Sequence, residues 1–191
     1  IATVPMPAGY QVIFAGEYEQ LRNAFKDLSM VMLVGVILVY IIMAMLYESL
    51  RDPLVVMFSV PLAIIGVNLM LLLTGTSYNV VSLIGVVILI GVVVNNAILL
   101  VDQANHLRYE RHLELREALL EAGRTRLRPI LMTALTTILG LVPLAIAQGE
   151  GAQIQQSMAR SLIGGLISST FITLFVVPVV YALFHRNDAP K

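Results

Sequence analysis

VVSLIGVVILIGVVVNNAILLV, residues 80–101, runs for 22 positions without an Asp, Glu, Lys or Arg. At about 1.5 Å per residue, a helix of that length covers the roughly 30 Å hydrocarbon core of a bilayer. Four further uncharged runs surround it: 28–47 (LSMVMLVGVILVYIIMAMLY), 53–74 (PLVVMFSVPLAIIGVNLMLLLT), 129–147 (PILMTALTTILGLVPLAIA) and 162–184 (LIGGLISSTFITLFVVPVVYALF). One such run could be a buried helix of a soluble domain. Five in 191 residues leave too little polar chain to cover them. The fold class is therefore an all-α membrane protein with five transmembrane helices.

Composition agrees. Hydrophobic residues make up 58% of the chain and charged residues 13%, against about 25% charge in ordinary soluble domains. This excludes a soluble globule and a disordered chain, and the absence of cysteine excludes a disulfide scaffold. Twelve basic residues balance twelve acidic ones, so no bulk positive field exists to hold nucleic acid.

Five spans put the termini on opposite sides. The segments 48–52, 102–128 and 185–191 carry nine Lys/Arg, and the segments 1–27, 75–79 and 148–161 carry three. The excess of basic residues places the first group in the cytoplasm, with the N-terminus outside and the C-terminus inside. The chain opens on Ile1 with no basic stretch before a short apolar run. It is read as a piece of a longer protein without a signal peptide.

Residues 1–27 differ from the rest. Pro5, Pro7 and Gly9 mark a turn, Tyr10, Val12 and Phe14 alternate as in a short strand, and residues 17–27 suggest a short helix leading into the membrane. A strand this short requires a larger extramembrane domain. Asp52 before Pro53 reads as an N-cap followed by a first-turn proline. Pro61, Pro143 and Pro178 are candidate kinks. Leu115, Ala118, Leu119 and Ala122 recur at helical spacing, which predicts an amphipathic cytoplasmic helix over about 106–122, ended by Gly123. Residues 185–191 form a cytoplasmic tail.

With no ionisable group inside a span, the informative positions are neutral: Asn68, the adjacent Asn95 and Asn96, Thr133, Thr136 and Thr137, and Ser168 to Thr170 with Thr173. A buried amide needs partners that hydrocarbon cannot supply. Asn95 and Asn96 are therefore read either as interhelical glue or as part of an ion or proton route whose carboxylates lie on another segment. Gly85, Gly91, Gly164 and Gly165 suggest close helix contact. There is no phosphate loop, no metal-ligand cluster and no nucleophile–base pair, so neither a cofactor, a bound metal nor enzymatic catalysis is expected.

Four stretches resemble one family. LYESLRDPLVVMFSVPLAIIG (46–66), GVVVNNAILLVDQANHLR (91–108), EAGRTRLRPILMTALTTILGLVPLA (121–145) and GEGAQIQQSMARSLIGGLISST (149–170) are similar to the ninth to twelfth transmembrane helices of resistance–nodulation–division (RND) efflux permeases of the acriflavine-resistance, hydrophobe/amphiphile type. The resemblance covers nearly the whole chain. It implies the C-terminal membrane half, helices eight to twelve, preceded over 1–27 by a remnant of the α+β periplasmic porter domain.

The same resemblance implies an inner-membrane permease that exports drugs or other amphiphiles, driven by proton flux. Expected partners are membrane lipid, the missing N-terminal half of the same permease, two further copies in a homotrimer, and a periplasmic adaptor and outer-membrane channel in Gram-negative cells. The proton-binding carboxylates of such pumps lie on the fourth helix, outside this chain. By resemblance, Thr133 matches the relay threonine and Arg126 the arginine at the cytoplasmic mouth of the proton path. Asn95 stands where the best-known drug pumps have lysine, with Asn96 its neighbour. Asparagine can hydrogen-bond a carboxylate but carries no charge. Loss of that cation implies a raised carboxylate pKa, a substitute cation, or sodium coupling. A heavy-metal RND exporter and a protein-translocation accessory subunit of related fold are the alternatives.

Overall fold

The computed structural model describes residues 16–149 and 151–185. The expected strand at Tyr10–Phe14 and the tail beyond His185 lie outside the described residues. Six α-helices make five rods long and apolar enough to cross a membrane. They are α1 (Glu17–Tyr47), α2 (Arg51–Met57), α3 (Ser59–Leu73), α4 (Val80–Asn105), α5 (Leu115–Ala145) and α6 (Ala152–Phe184).

The boundaries differ from the sequence reading in four places, each for a local reason. The lead-in helix and the first span are one helix, α1, because nothing between Asp27 and Leu28 breaks the backbone pattern. The second span divides at Phe58 into α2 and α3. Pro61 lacks an N–H, and its ring crowds the carbonyl four residues back, which is Met57, the last residue of α2. Pro143 and Pro178 interrupt neither α5 nor α6.

The separate amphipathic helix over about 106–122 is not found. Residues His106–Glu110 extend α4 in a wide, π-type turn. The Leu113 N–H then reaches back to the Leu107 carbonyl at 3.3 Å, and His112 takes a left-handed φ of 54°. Leu115 to Ala122 are the opening turns of α5, with Ala118 and Ala122 buried. Gly123 is inside that helix. The strong helix formers Arg124, Arg126 and Leu127 carry it on.

Asp52 is not an N-cap. It lies in the first turn of α2, whose N-cap is Leu50, and Ser49 Oγ, one residue earlier, accepts from the Arg51 and Asp52 N–H groups at 3.3 and 3.4 Å. At α4, Asn79 and Ser82 form a reciprocal capping box, with Ser82 N donating to Asn79 Oδ1 at 2.7 Å and Asn79 N to Ser82 Oγ at 2.9 Å.

Helix α6 is the centre of the bundle and packs along α3, α4 and α5, whereas α1 rests on α2 and α4. Small residues allow this. A Cβ on Gly66 would lie 2.2 Å from Ser168 Cβ and 2.6 Å from the Gly164 carbonyl. One on Gly164 would lie 2.2 Å from Met70 Cβ and 2.7 Å from the Gly66 carbonyl. Gly85 similarly faces the Met158 backbone at 3.1 Å, while Gly91, expected to serve a helix contact, has open space beside it. Around these points Val67, Leu89, Val93, Ala97 and Leu166 fill the core.

Polar groups tie the bundle at the end where α3, α4, α5 and α6 turn. Ser157 Oγ donates to Asn79 Oδ1 at 2.9 Å. Arg160 donates to Thr76 Oγ1 at 2.8 Å and to the Ala145 carbonyl at 3.2 Å. Asn68, the polar residue of the second span, accepts from the Tyr78 hydroxyl, and burial pushes that phenol's pKa up.

Gly66→Ala and Gly164→Ala should each destabilise the full-length protein by about 1–3 kcal/mol, because backbone and Cβ atoms must give way. Gly123→Ala, inside the opening turns of α5 with nothing within 4 Å, should leave the midpoint unchanged or slightly raised. Heat-induced loss of the monodisperse species in detergent measures the difference.

Candidate functional site

Neighbouring residues on an α-helix point about 100° apart, so Asn95 and Asn96 cannot share an environment. Asn96 turns into the bundle and is buried. Asn95 is exposed and lines a crevice of ≈ 320 Å³ between α1 and α4. Met32, Val36, Met57, Ile90 and Ile98 contribute to its walls, and Asn95 brings the polar side chain among an otherwise apolar lining. Gly91, one turn earlier, opens into the same space.

Arg126 and Thr133 are seven residues apart and so share one face of α5. Thr133 is exposed, as are Thr136 and Thr137. Their hydroxyls donate back to their own helix: Thr133 to the Ile130 carbonyl at 3.0 Å, Thr136 to Met132 at 2.7 Å, and Thr137 to Thr133 at 2.8 Å. Each hydroxyl oxygen keeps lone pairs to accept with. Arg126 is half-buried, and its Nε is buried without a hydrogen-bond partner among the described residues. The four residues picked out in the sequence therefore fall into three surroundings, and no hydrogen bond among the described residues joins any two of them.

A second polar cluster escaped the sequence reading. Asp52, at the start of α2, is buried at 3% exposure. Its Oδ2 accepts from Asn105 Nδ2 on α4 at 2.9 Å. Its Oδ1 lies 3.1 Å from His185 Nε2, at ion-pair distance though outside hydrogen-bond alignment. Asn105 Oδ1 accepts from the Tyr181 hydroxyl, and the rings of Tyr181 and His185 stack at 4.2 Å. Arg108 Nη2 donates to the His185 carbonyl at 3.4 Å. His185 Nδ1 lies 3.2 Å from the Tyr181 carbonyl. Both ring nitrogens thus face oxygen atoms of the protein.

Local rules assign Asp52 to its own helix, and His185 to the cytoplasmic tail that it opens. The available signals were spacings: Asn105 and Arg108 at i,i+3, and Tyr181 and His185 at i,i+4, each pair on one helix face.

Residues 1–185 match the AcrB/AcrD/AcrF family over almost the whole chain. The chain belongs to that family. It is 40% identical over 185 residues to the cobalt-zinc-cadmium resistance protein CzcA of Cupriavidus metallidurans, which covers 97% of this chain and 17% of that protein. It is 41% identical over 186 residues to the swarming motility protein SwrC of Bacillus subtilis, covering 97% and 18%. It is 36% identical over 181 residues to the multidrug resistance protein MdtC of Yersinia enterocolitica, covering 95% and 18%. Among solved structures, the crystal structure of a heavy metal efflux pump superposes with a TM-score of 0.83 at 33% identity, over 95% of this chain and 18% of that one. The chain thus spans less than a fifth of these relatives. As a member of the AcrB/AcrD/AcrF family with five span-length helices, it is a multi-pass membrane chain of an RND efflux permease.

Asp52→Ala should lower the stability of the full-length permease by about 3 kcal/mol, because it strands His185 and Asn105 in a buried site. Asp102→Ala, on an exposed position of α4, should change it little. The cycle with His185→Ala should show a coupling of about 0.5–3 kcal/mol. Additive losses in thermal denaturation would remove the pair from the account.

Proposed function

We propose that this chain is the C-terminal membrane sector of an inner-membrane secondary active permease that exports amphiphilic hydrophobic compounds, driven by the proton-motive force. One observation carries the reading. The bundle leaves the Asn95 and Thr133 side chains on faces that its own helices do not cover, and it holds the Arg126 Nε without a hydrogen-bond partner among the described residues. In hydrocarbon such groups require partners. Carboxylates on the other membrane half of the permease are the partners that give these residues a use: Thr133 and Arg126 as stations of a proton route, and Asn95 as the hydrogen-bonding neighbour of a carboxylate that other pumps pair with lysine. Asn96, buried on the opposite side of α4, positions that helix.

The charge distribution supports a periplasmic N-terminus and a cytoplasmic C-terminus. Assembly as a homotrimer with an adaptor and an outer channel follows from the family reading. Export of heavy-metal cations is the second reading, favoured by the likeness to CzcA and to the heavy metal efflux pump structure.

The test is the full-length permease in proteoliposomes with an imposed pH gradient, offered an amphiphilic dye or zinc ions. The dye should move with the gradient and zinc should not. Asn95→Leu, which keeps the volume and removes the amide, should slow transport about tenfold or more, the scale of one hydrogen bond to a charged group. Zinc transport without dye transport would establish the second reading. Transport indifferent to the pH gradient would overturn proton drive.

A further inference from the structure

A groove of ≈ 650 Å³ lies where the turn after α4, the start of α5 and the end of α6 meet. Its polar lining is Arg108, Arg116, Glu114 and His185, and the rest of its wall is apolar. Two of the apolar residues, Leu120 of α5 and Val179 of α6, are 56% and 60% exposed, so the groove opens on the outer surface of the bundle. Val179 belongs to the last apolar turns of α6, and Arg116 to the charged first turn of α5. The groove therefore joins hydrocarbon depth to headgroup depth.

We propose that this groove binds an anionic phospholipid, with the phosphodiester at Arg108 and Arg116 and an acyl chain along the Leu120–Val179 wall. Charge fits one such headgroup. The lining sets two guanidiniums, Arg108 and Arg116, against one carboxylate, Glu114, and a single phosphodiester balances the excess. Arg116 is exposed and meets the headgroup first, while Arg108 forms the buried floor. A guanidinium has five N–H donors in a fixed fork, so Arg108 can keep its bond to the His185 carbonyl and still present donors to a phosphate oxygen. Basic pockets between transmembrane helices on the side of the anionic leaflet bind headgroups by this chemistry. A free anion would satisfy the cations and leave the apolar wall unused. A phospholipid satisfies both.

The nine-to-three distribution of basic residues puts this end of the bundle at the cytoplasmic leaflet. The occupied groove would fasten α6, and through His185 the Asp52 cluster, to the bilayer surface. The proposal needs no particular transported substrate.

Native mass spectrometry of the full-length permease tests it, on protein exchanged into detergent containing equal amounts of phosphatidylglycerol and phosphatidylcholine. The wild type should retain phosphatidylglycerol preferentially. Arg116→Gln, at an exposed position, should reduce that preference about fivefold, the contribution of one cation near an anionic surface. Val179→Trp, which fills the groove from its rim, should abolish it. Equal retention of the two lipids by the wild type overturns the proposal and means that another part of the permease covers the groove. A preference untouched by both variants overturns it as well. Displacement of phosphatidylglycerol by inorganic phosphate would make this a soluble-anion site and not a lipid site. None of these readouts depends on transport, so a failure here leaves the efflux reading standing, and the reverse holds.

Discussion

The backbones of α3 and α6 touch at Gly66 and Gly164, and the rest of the bundle is arranged around that contact. In hydrocarbon, helices gain nothing by hiding apolar side chains from a solvent that is itself apolar. Association must come from dense van der Waals contact and from polar groups that find each other. The glycines provide the first by removing the Cβ atoms that would hold the two helices apart. With α6 seated against α3, Gly165 admits Leu89 of α4, and α6 becomes the shared neighbour of three helices. The second comes from the two ends, Asn79 with Ser157 and Arg160 with Thr76 at one, and Asp52 with Asn105 and His185 at the other.

The spans were legible in the sequence because length and absence of charge are one-dimensional properties. Their junctions were less so. A cap rule sees a residue's near neighbours, and it assigned Asp52 to the helix that it opens. The residues that occupy its carboxylate come from α4 and α6, which no local rule can reach. Gly123 failed as a helix end for the complementary reason: Ala118 and Ala122 on one side and Ile130 on the other are all buried, so tertiary packing carries the helix across a residue that favours stopping. The break at Phe58 was legible, since its cause, the ring of Pro61, lies three residues further along the same span.

Of the candidate site, the divergence of Asn95 and Asn96 and the common face of Arg126 and Thr133 follow from helical geometry alone. What the sequence could not show is which faces the chain leaves uncovered. Of the interior polar groups, Ser157, Ser161, Ser169 and Thr170 donate to protein acceptors, while Thr173 Oγ1 and the Arg126 Nε are buried without a hydrogen-bond partner among the described residues. The outward-facing Thr133, Thr136 and Thr137 keep spare acceptor capacity. The relatives are more than five times the length of this chain, and uncovered polar side chains of this kind are what further helices can meet.

The wide turn at His106–Glu110 has a consequence of phase. A helix is a screw, and a turn closed by i→i+5 bonds holds one residue more than an α-turn. Everything beyond it is rotated relative to the thread of α4. Leu107 and Arg108, three and four residues past Ala104, stay on the inner face already set by Val93, Ala97, Leu100 and Ala104, so the slip is felt beyond them, where the chain leaves for α5. The sequence carries its correction as a single surplus residue. A deletion at Tyr109 or Glu110 would leave Arg108 where it is and bring the start of α5 round out of phase with it, as a screw cut one notch short presents the wrong side of its head.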